Sequence, residues 1–298
     1  MGIRLKGVPR VEALMRSALL SLSKNHGLNN VAKRYGLRFG ASRFVAGATL
    51  DQALEQIRRL NEAGILATMD HLGEFISTKE EALEATQVCI EALDGIARSK
   101  VKSHLSLKMT QLGMDLDKQF CLANMERILT RAKEYGSFVR IDIEDSPRCQ
   151  TTIDIFKVLR GKFDNVGLAL QAYLYRSEQD LQDLRANLRL VKGAYKEPKE
   201  VAFPLKSDVD HNLKRLIELQ MLNGDYAAVA SHDIKIINHA KEFAARNNIP
   251  RDKFEFQMLY GICTDLQQKL VTEGYTVRVY VPYGTDWYGY FMRRLAER

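Results

Sequence analysis

The chain has 298 residues and a formal net charge of +7, and 46% of its residues are hydrophobic and 27% charged. This composition excludes collagen-like, disordered and disulfide-framework proteins, and a chain of this length can bury a core large enough to fold without disulfides or metals. The four cysteines include no CxxC pair, so we expect reduced thiols, no metal site and a cytoplasmic protein. No apolar run approaches the length of a membrane span, and the N-terminus does not have the pattern of a signal peptide.

Positive charge is concentrated at the N-terminus. Residues 1–50 contain nine lysines and arginines and one acid, Glu12, whereas the remainder has 35 basic and 36 acidic residues. We expect residues 1–45 to form a basic helical arm, with helices at 9–24 and 28–38. A basic amphipathic segment favours contact with anionic lipid or with nucleic acid, and lipid is favoured here because few aromatic residues accompany the charges. A solvated helical face without a partner is the alternative.

A repeating pattern follows the arm. A helix at 50–63, capped by Thr49 and ended by Gly64, comes first. Eight short apolar runs then alternate with amphipathic stretches. The strands are predicted at 65–70, 104–108, 138–142, 166–171, 188–192, 227–232, 254–257 and 277–280. The helices are predicted at 79–99, 117–135, 151–160, 177–186, 207–223, 234–247, 264–273 and 285–297. Eight strands alternating with eight helices, without a linker, predict one α/β domain over residues 46–298 with the architecture of a (β/α)8 barrel.

Polar residues stand at the ends of the predicted strands. Active sites of such barrels lie at the C-terminal ends of the strands. Each residue taken alone is as readily explained as part of a polar rim, but together they predict a site. They are Asp70, Lys108, Asp142, Gln171, Arg189, Lys192, His232, Gln257 and Tyr280.

The last predicted helix carries a second signal. Tyr290, Arg293, Arg294 and Glu297 are spaced to share one helical stripe, and Trp287, Phe291 and Leu295 line a separate apolar face. Paired guanidinium groups suit a ligand carboxylate, because each can bind it through two hydrogen bonds. A solvated helix with one Arg–Glu pair explains the spacing equally well.

Several common motifs are absent. The sequence has no Walker A, GxGxxG or GxSxG motif, and its six histidines lack the spacing of metal ligands. Metal-dependent hydrolysis and serine or cysteine acyl transfer are therefore disfavoured.

Six segments carry a resemblance to a known family. In order and spacing they resemble the flavin-dependent proline dehydrogenases, from about residue 40 onward, and the length resembles the compact monofunctional bacterial branch. The segments are LSLKMTQLGMDL (105–116), VRIDIEDSPR (139–148), LQAYL (170–174), RLVKGAYKEP (189–198), FEFQMLYGI (254–262) and VRVYVPYGTDWYGYFMRRLAER (277–298).

The resemblance implies a distorted barrel that binds FAD, with the last helix over the barrel mouth. It implies oxidation of L-proline to Δ1-pyrroline-5-carboxylate by hydride transfer from C5 to the flavin, the first step of proline catabolism to glutamate. A quinone, expected in the membrane, would reoxidise the flavin, and the protein would contact the inner face of the cell membrane peripherally. Nucleic acid is not an expected partner. Relatives commonly continue past the position of Glu297, which leaves open whether a C-terminal tail belongs to this protein.

The resemblance also assigns residues. It implies catalytic roles for Asp142 and Arg189, with Asp142 either orienting its neighbours or accepting a proton. The substrate contacts it implies are Lys108, Arg293, Arg294, Tyr280, Tyr290, Tyr195, Leu259, Glu74 and Glu297, with Glu74 pairing with one of the two arginines when the site closes. The cofactor contacts it implies are Ile143, Gln171, Arg189, Val191, Lys192, Gly193, Ser231, His232 and Gln257, with Ser231 standing where members often have Thr.

Two other functions remain open on the residues alone. A Schiff-base lyase or aldolase would use Lys108 or Lys192 as its nucleophile. A nucleic-acid-binding protein would use the basic arm and would show strongly salt-dependent affinity.

Overall fold

The computed structural model describes residues 40–73 and 76–296, and within them eight parallel strands close into a barrel in chain order. The strands are β1 (Leu66–His71), β2 (Ser103–Leu107), β3 (Val139–Ile141), β4 (Val166–Gln171), β5 (Asn187–Val191), β6 (Tyr226–Ala230), β7 (Phe254–Leu259) and β8 (Val277–Tyr283). The helices are α1 (Leu50–Glu62), α2 (Lys79–Ser99), α3 (Lys118–Glu134), α4 (Ser146–Arg160), α5 (Ser177–Leu184), α6 (Lys206–Asn223), α7 (Ile234–Arg246), α8 (Thr264–Thr272) and α9 (Trp287–Ala296).

The predicted (β/α)8 barrel is confirmed, with two notable differences in element bounds. Helix α4 begins at Ser146 rather than at 151, because Pro147 lies in its first turn, where proline is tolerated. Strand β8 continues past Tyr280 to Tyr283, and its register with β1 pairs Val281 with Met69 and Tyr283 with His71. The helices predicted at 9–24 and 28–38, together with Glu74 and Glu297, lie outside the described residues.

Local signals fix the helix starts. The Thr49 side chain accepts a hydrogen bond from the Gln52 N–H, and the Gln52 side chain accepts one from the Thr49 N–H. Thr78 and Glu81 form the same reciprocal arrangement at the start of α2. Each arrangement satisfies backbone donors that an open helix end would leave unpaired.

The strands separate apolar from polar residues by alternation. In β2, Leu105 and Leu107 belong to the main apolar core, whereas Ser106 hydrogen-bonds to Thr68 of β1 and Arg189 of β5 inside the barrel. The interior is therefore lined with polar and charged groups, in place of the branched apolar side chains that usually fill such barrels.

Helix α9 lies at the C-terminal end of the barrel. It packs through a separate apolar cluster that contains Leu72, the residue that directly follows β1. The cluster consists of Ala41, Phe44, Val45, Leu72, Trp287 and Tyr290. Residues 41–45, which the sequence places in the arm, thus pack against the last helix. Among the helices of the described ranges, none is long and apolar enough to cross a bilayer.

Candidate active site

Asp142 is the meeting point of side chains from four strands. It follows β3, and its Oδ1 accepts a hydrogen bond from Arg189 Nη1 of β5 at 2.5 Å. Its Oδ2 lies 2.8 Å from the Tyr280 hydroxyl oxygen of β8 and 3.5 Å from Lys108 Nζ, at the end of β2. Residues far apart in sequence thus converge where the strands end, as the barrel topology requires.

Arg189 is held in one orientation by three partners. Besides Asp142, its Nε donates to Gln257 Oε1 at 2.6 Å and its Nη2 donates to Ser106 Oγ at 3.1 Å. Its guanidinium carbon also lies 5.4 Å from the centre of the Tyr280 ring. A buried guanidinium with every nitrogen engaged presents a fixed positive charge to whatever binds above it.

A buried ion pair lies beneath Arg189. Gln257 Nε2 donates to the Glu255 carboxylate, which pairs with Arg278 through contacts of 2.8 and 3.1 Å. Burial acts to raise the pKa of Glu255, but the Arg278 charge outweighs it and lowers that pKa to about 2. Because an ionised carboxylate only accepts hydrogen bonds, Glu255 fixes the Gln257 amide with its oxygen toward Arg189.

Asp70, one of the polar residues predicted at the strand ends, belongs to this cluster, although the family resemblance assigned it no role. It is 1% exposed, and its Oδ2 lies 2.7 Å from the Tyr280 hydroxyl and 3.5 Å from Lys108 Nζ. Burial raises the pKa of Asp70, Lys108 opposes this rise, and the charge of Asp142 adds to it. The available sequence signal was its place beside the end of β1, where it pairs in register with the inward-facing Ser106.

The two lysines at strand ends are protonated rather than nucleophilic. Burial acts to lower the pKa of Lys108, but Asp70 and Asp142 raise it above its ordinary value. Lys192 follows β5 and lies 2.5 Å from Asp210 and 3.0 Å from Asp233, which raise its pKa against the opposing effect of burial. A Schiff-base lysine needs a lowered pKa, so neither residue suits the lyase alternative.

His232 and Ser231 are anchored beside the end of β6. His232 Nε2 accepts a hydrogen bond from the Leu259 N–H at 2.9 Å, and burial lowers the pKa of His232 to about 4, with the Arg294 charge acting in the same direction. The imidazole is therefore neutral at pH 7. Ser231 Oγ accepts from the Asp233 N–H at 3.1 Å.

The remaining predicted cofactor contacts are Gln171, Ile143, Gly193 and Val191, and several of them also stabilise the local structure. Gln171 Nε2 donates to the Glu144 carbonyl at 2.7 Å, and Ile143 is buried. Gly193 has φ +119°, and a Cβ atom there would stand 2.3 Å from the Tyr173 ring, so only glycine fits. Val191 ends β5 and is half-buried.

The charges of the two α9 arginines act on residues that follow β5 and β6. The Arg294 charge acts on His232, and the charges of Arg293 and Lys108 oppose the burial that raises the pKa of Tyr195. The Arg294 guanidinium carbon lies 5.2 Å from the centre of the Tyr290 ring. The structure thus brings Arg293 and Arg294 to the barrel mouth near Tyr195 and His232.

Two predicted placements of aromatic residues are wrong. Tyr290 was placed on a stripe separate from Trp287, but both belong to the apolar cluster under α9, because the helix turns that edge toward Leu72 and Phe44. Tyr280 was placed at the end of β8, but three more strand residues follow it, and its hydroxyl lies between Asp70 and Asp142.

Comparison with known proteins adds an independent line of evidence. The family model described as "Proline dehydrogenase" matches residues 53–298. The chain is 51% identical over 288 residues to "Proline dehydrogenase 2" of Bacillus subtilis, covering 96% of this chain and 95% of that protein. It is 42% identical over 295 residues to "Proline dehydrogenase" of Deinococcus radiodurans, with the same coverage.

The solved structures support the fold. The crystal structure of proline utilization A from Bdellovibrio bacteriovorus, inactivated by N-propargylglycine, matches with a TM-score of 0.83 at 24% identity. The match covers 97% of this chain but only 37% of that protein. Likewise, the match to the bifunctional PutA of Escherichia coli covers 23% of that protein's length.

Proposed function

The chain belongs to the proline dehydrogenase family of oxidoreductases, and we propose that its barrel mouth binds FAD and L-proline and oxidises proline to Δ1-pyrroline-5-carboxylate. The observation that carries this proposal is the convergence of Lys108, Asp142 and Arg189 at the C-terminal end of the barrel, the end at which α9 packs against Leu72. The three residues come from different strands. Together they provide a cation for the substrate carboxylate, Lys108, and a fixed cation for the cofactor, Arg189.

FAD is the cofactor that the donor set fits. Arg189 and Lys192 bring positive charge to the end of β5, and His232 and Gln257 bring polar groups to β6 and β7. Lys192 suits a phosphate group, and Arg189 suits the negative charge that a flavin gains on reduction. When bound, FAD would supply the two-electron chemistry by accepting the hydride from C5 of proline.

Binding of the substrate carboxylate falls to the cations at the mouth. We assign this role to Arg293, Arg294 and Lys108, since guanidinium groups bind carboxylates through paired hydrogen bonds. Tyr195, Leu259, Tyr280 and Tyr290 are assigned to the surrounding walls. Holding the carboxylate and enclosing the ring would restrict proline to one orientation and remove the entropic cost of alignment from the chemical step.

Asp142 is assigned to orientation. Its Oδ1 is engaged by Arg189 and its Oδ2 by Tyr280, with Lys108 alongside. A carboxylate held in this way keeps both cations in place.

We further propose that a membrane quinone removes the electrons and that the basic arm, residues 1–45, docks on anionic lipid. The excess of nine basic residues over one acid in the first 50 supports this docking. Anionic vesicles should bind the full chain at low salt and release it as ionic strength rises. Equal binding to neutral vesicles would refute the electrostatic basis.

The enzyme assignment is tested by proline-dependent reduction of a soluble dye, with the product trapped chemically. Asp142→Asn should lower kcat/KM about 100-fold or more, because it removes the charge that holds two buried cations. The matched control is Asp154→Asn on the exposed face of α4, which should stay within about twofold of the unmodified protein. An Asp142→Asn variant as active as the control would overturn the assigned site.

A further inference from the structure

We propose that Asp70 is an uncharged, protonated acid that orients the Tyr280 hydroxyl toward Asp142, and so keeps Asp142 the only charged carboxylate of the pair. Asp70 is thus a positioning residue that acts through Tyr280. The existence of the proton rests on the geometry and the charges around Asp70, whereas its effect on turnover rests on the proposed function.

The Tyr280 hydroxyl lies between two aspartates, and its two hydrogen bonds require two protons. Asp70 Oδ2, the Tyr280 hydroxyl oxygen and Asp142 Oδ2 form a row with separations of 2.7 and 2.8 Å. Both separations are typical of O–H···O hydrogen bonds, and each such bond needs its own proton. The phenol supplies one proton, and an ionised carboxylate can only accept. One of the two aspartates must therefore carry the second proton.

The surroundings assign that proton to Asp70. Asp142 pairs with the Arg189 guanidinium at 2.5 Å, a contact that stabilises its ionised form. Within the described ranges, Asp70 has no guanidinium partner, and its Oδ1 is buried without a hydrogen-bond partner. Lys108 Nζ lies 3.5 Å from each carboxylate, so it does not favour one over the other.

The other groups that face Asp70 bring no positive charge. Cys89 of α2 and Tyr283 of β8 both lie near it, and burial raises the pKa of each, so both are neutral at pH 7. Tyr280 is also neutral, because burial and the Asp142 charge raise its pKa. Among the residues that the structure describes, Lys108 is the one cation paired with Asp70, and Asp142 already shares it, so a second negative charge here would be poorly compensated.

The direction of the hydrogen bonds follows. Asp70 donates to the Tyr280 oxygen, and Tyr280 donates to Asp142. The Tyr280 hydroxyl is then fully engaged, and its ring is held against Arg189. With Asp70 uncharged, Lys108 and Arg189 face one charged carboxylate, that of Asp142. The group therefore carries a net positive charge where the substrate carboxylate is proposed to bind.

The same substitution, aspartate to asparagine, made at Asp70 and at Asp142 tests this assignment, together with Asp70→Ala. Asp70→Asn keeps a donor to Tyr280 without charge, so its kcat/KM for proline should stay within about threefold of the unmodified enzyme. Asp70→Ala removes the donor and should lower kcat/KM about tenfold or more. Asp142→Asn, the matched control, should lower it about 100-fold. A loss in Asp70→Asn as large as that in Asp142→Asn would overturn the proposal.

An infrared measurement tests the proton without using turnover. The holoprotein at pH 7 should show the C=O stretching band of a buried protonated carboxyl, which disappears in Asp70→Asn and persists in the exposed control Asp154→Asn. Absence of that band from the unmodified protein would overturn the proposal even if proline is oxidised. Conversely, a protein that shows the band but does not oxidise proline would refute the proposed function and leave the proton in place. The infrared comparison also decides the matter if Asp70→Ala does not fold.

Discussion

Replacing Glu255 with Gln should destabilise the barrel by removing the only carboxylate that faces Arg278 in the described interior. Glu255 is 2% exposed and Arg278 is 6% exposed, so neither charge is solvated by water. The substitution preserves the shape of the side chain, but it replaces one accepting oxygen with a donating NH2 group and leaves the guanidinium as an uncompensated buried charge.

The expected loss is about 3 kcal/mol in the free energy of unfolding at pH 7. The pairing lowers the pKa of Glu255 from 4.5 to about 2. At about 1.4 kcal/mol for each pKa unit, this corresponds to roughly 3 kcal/mol. Breaking a buried pair by removing one partner costs about 3–5 kcal/mol in other proteins, which agrees.

The sign of the pH dependence provides the sharper check. A carboxyl whose pKa is lowered on folding stabilises the protein fully above its unfolded pKa, and this contribution is lost as pH falls toward the folded pKa. The gap in stability between the unmodified protein and Glu255→Gln should therefore narrow by roughly 1 kcal/mol between pH 7 and pH 4.

Urea unfolding at the two pH values measures this gap. Glu62→Gln, at the exposed end of α1, is the matched control and should change stability by less than about 0.5 kcal/mol. Equal stability of Glu255→Gln and the control at pH 7, or a gap that widens at pH 4, would refute the reasoning.

Three further predictions concern the site itself. Arg293→Met and Arg294→Met should each raise the activation barrier that kcat/KM for proline reports by about 2–4 kcal/mol, because the substrate carboxylate loses a partner, while flavin content stays normal. Unchanged kcat/KM in either variant would show that the arginine stripe of α9 is a surface feature. Arg189→Ala should weaken binding of sulfite to the flavin, because the fixed cation stabilises the anionic adduct, and unchanged sulfite affinity would remove Arg189 from the flavin. L-Proline should be preferred over trans-4-hydroxy-L-proline by at least roughly tenfold in kcat/KM, about 1.4 kcal/mol, because the Tyr280 ring offers the extra hydroxyl no hydrogen bond; comparable values would refute the placement of Tyr280 beside the substrate ring.

The barrel could be predicted from sequence because each of its units carries its own local signals. Helix α2 matches its predicted bounds of 79–99, since Thr78 and Glu81 give its start a recognisable pattern. Strand β4 matches at 166–171, where a continuous apolar run is typical of a strand buried on both faces. The start of α4 was missed because its first turn is polar and contains proline.

The charged interior could not be predicted in the same way. The contact between Arg189 and Gln257 joins residues 68 positions apart, so no local pattern encodes it. The alternation in VRVYVPY does place Arg278 and Tyr280 on one face of β8, a signal that was available in the sequence. What those side chains meet depends on how β1, β3, β5 and β7 close around them.

The central claim is most directly tested by one anaerobic titration. The purified protein is expected to show flavin absorbance, and stoichiometric L-proline without oxygen or another acceptor should bleach it while Δ1-pyrroline-5-carboxylate forms in equal amount. A protein that binds no flavin when FAD is supplied, or a bound flavin that stays oxidised with excess L-proline, would contradict the account.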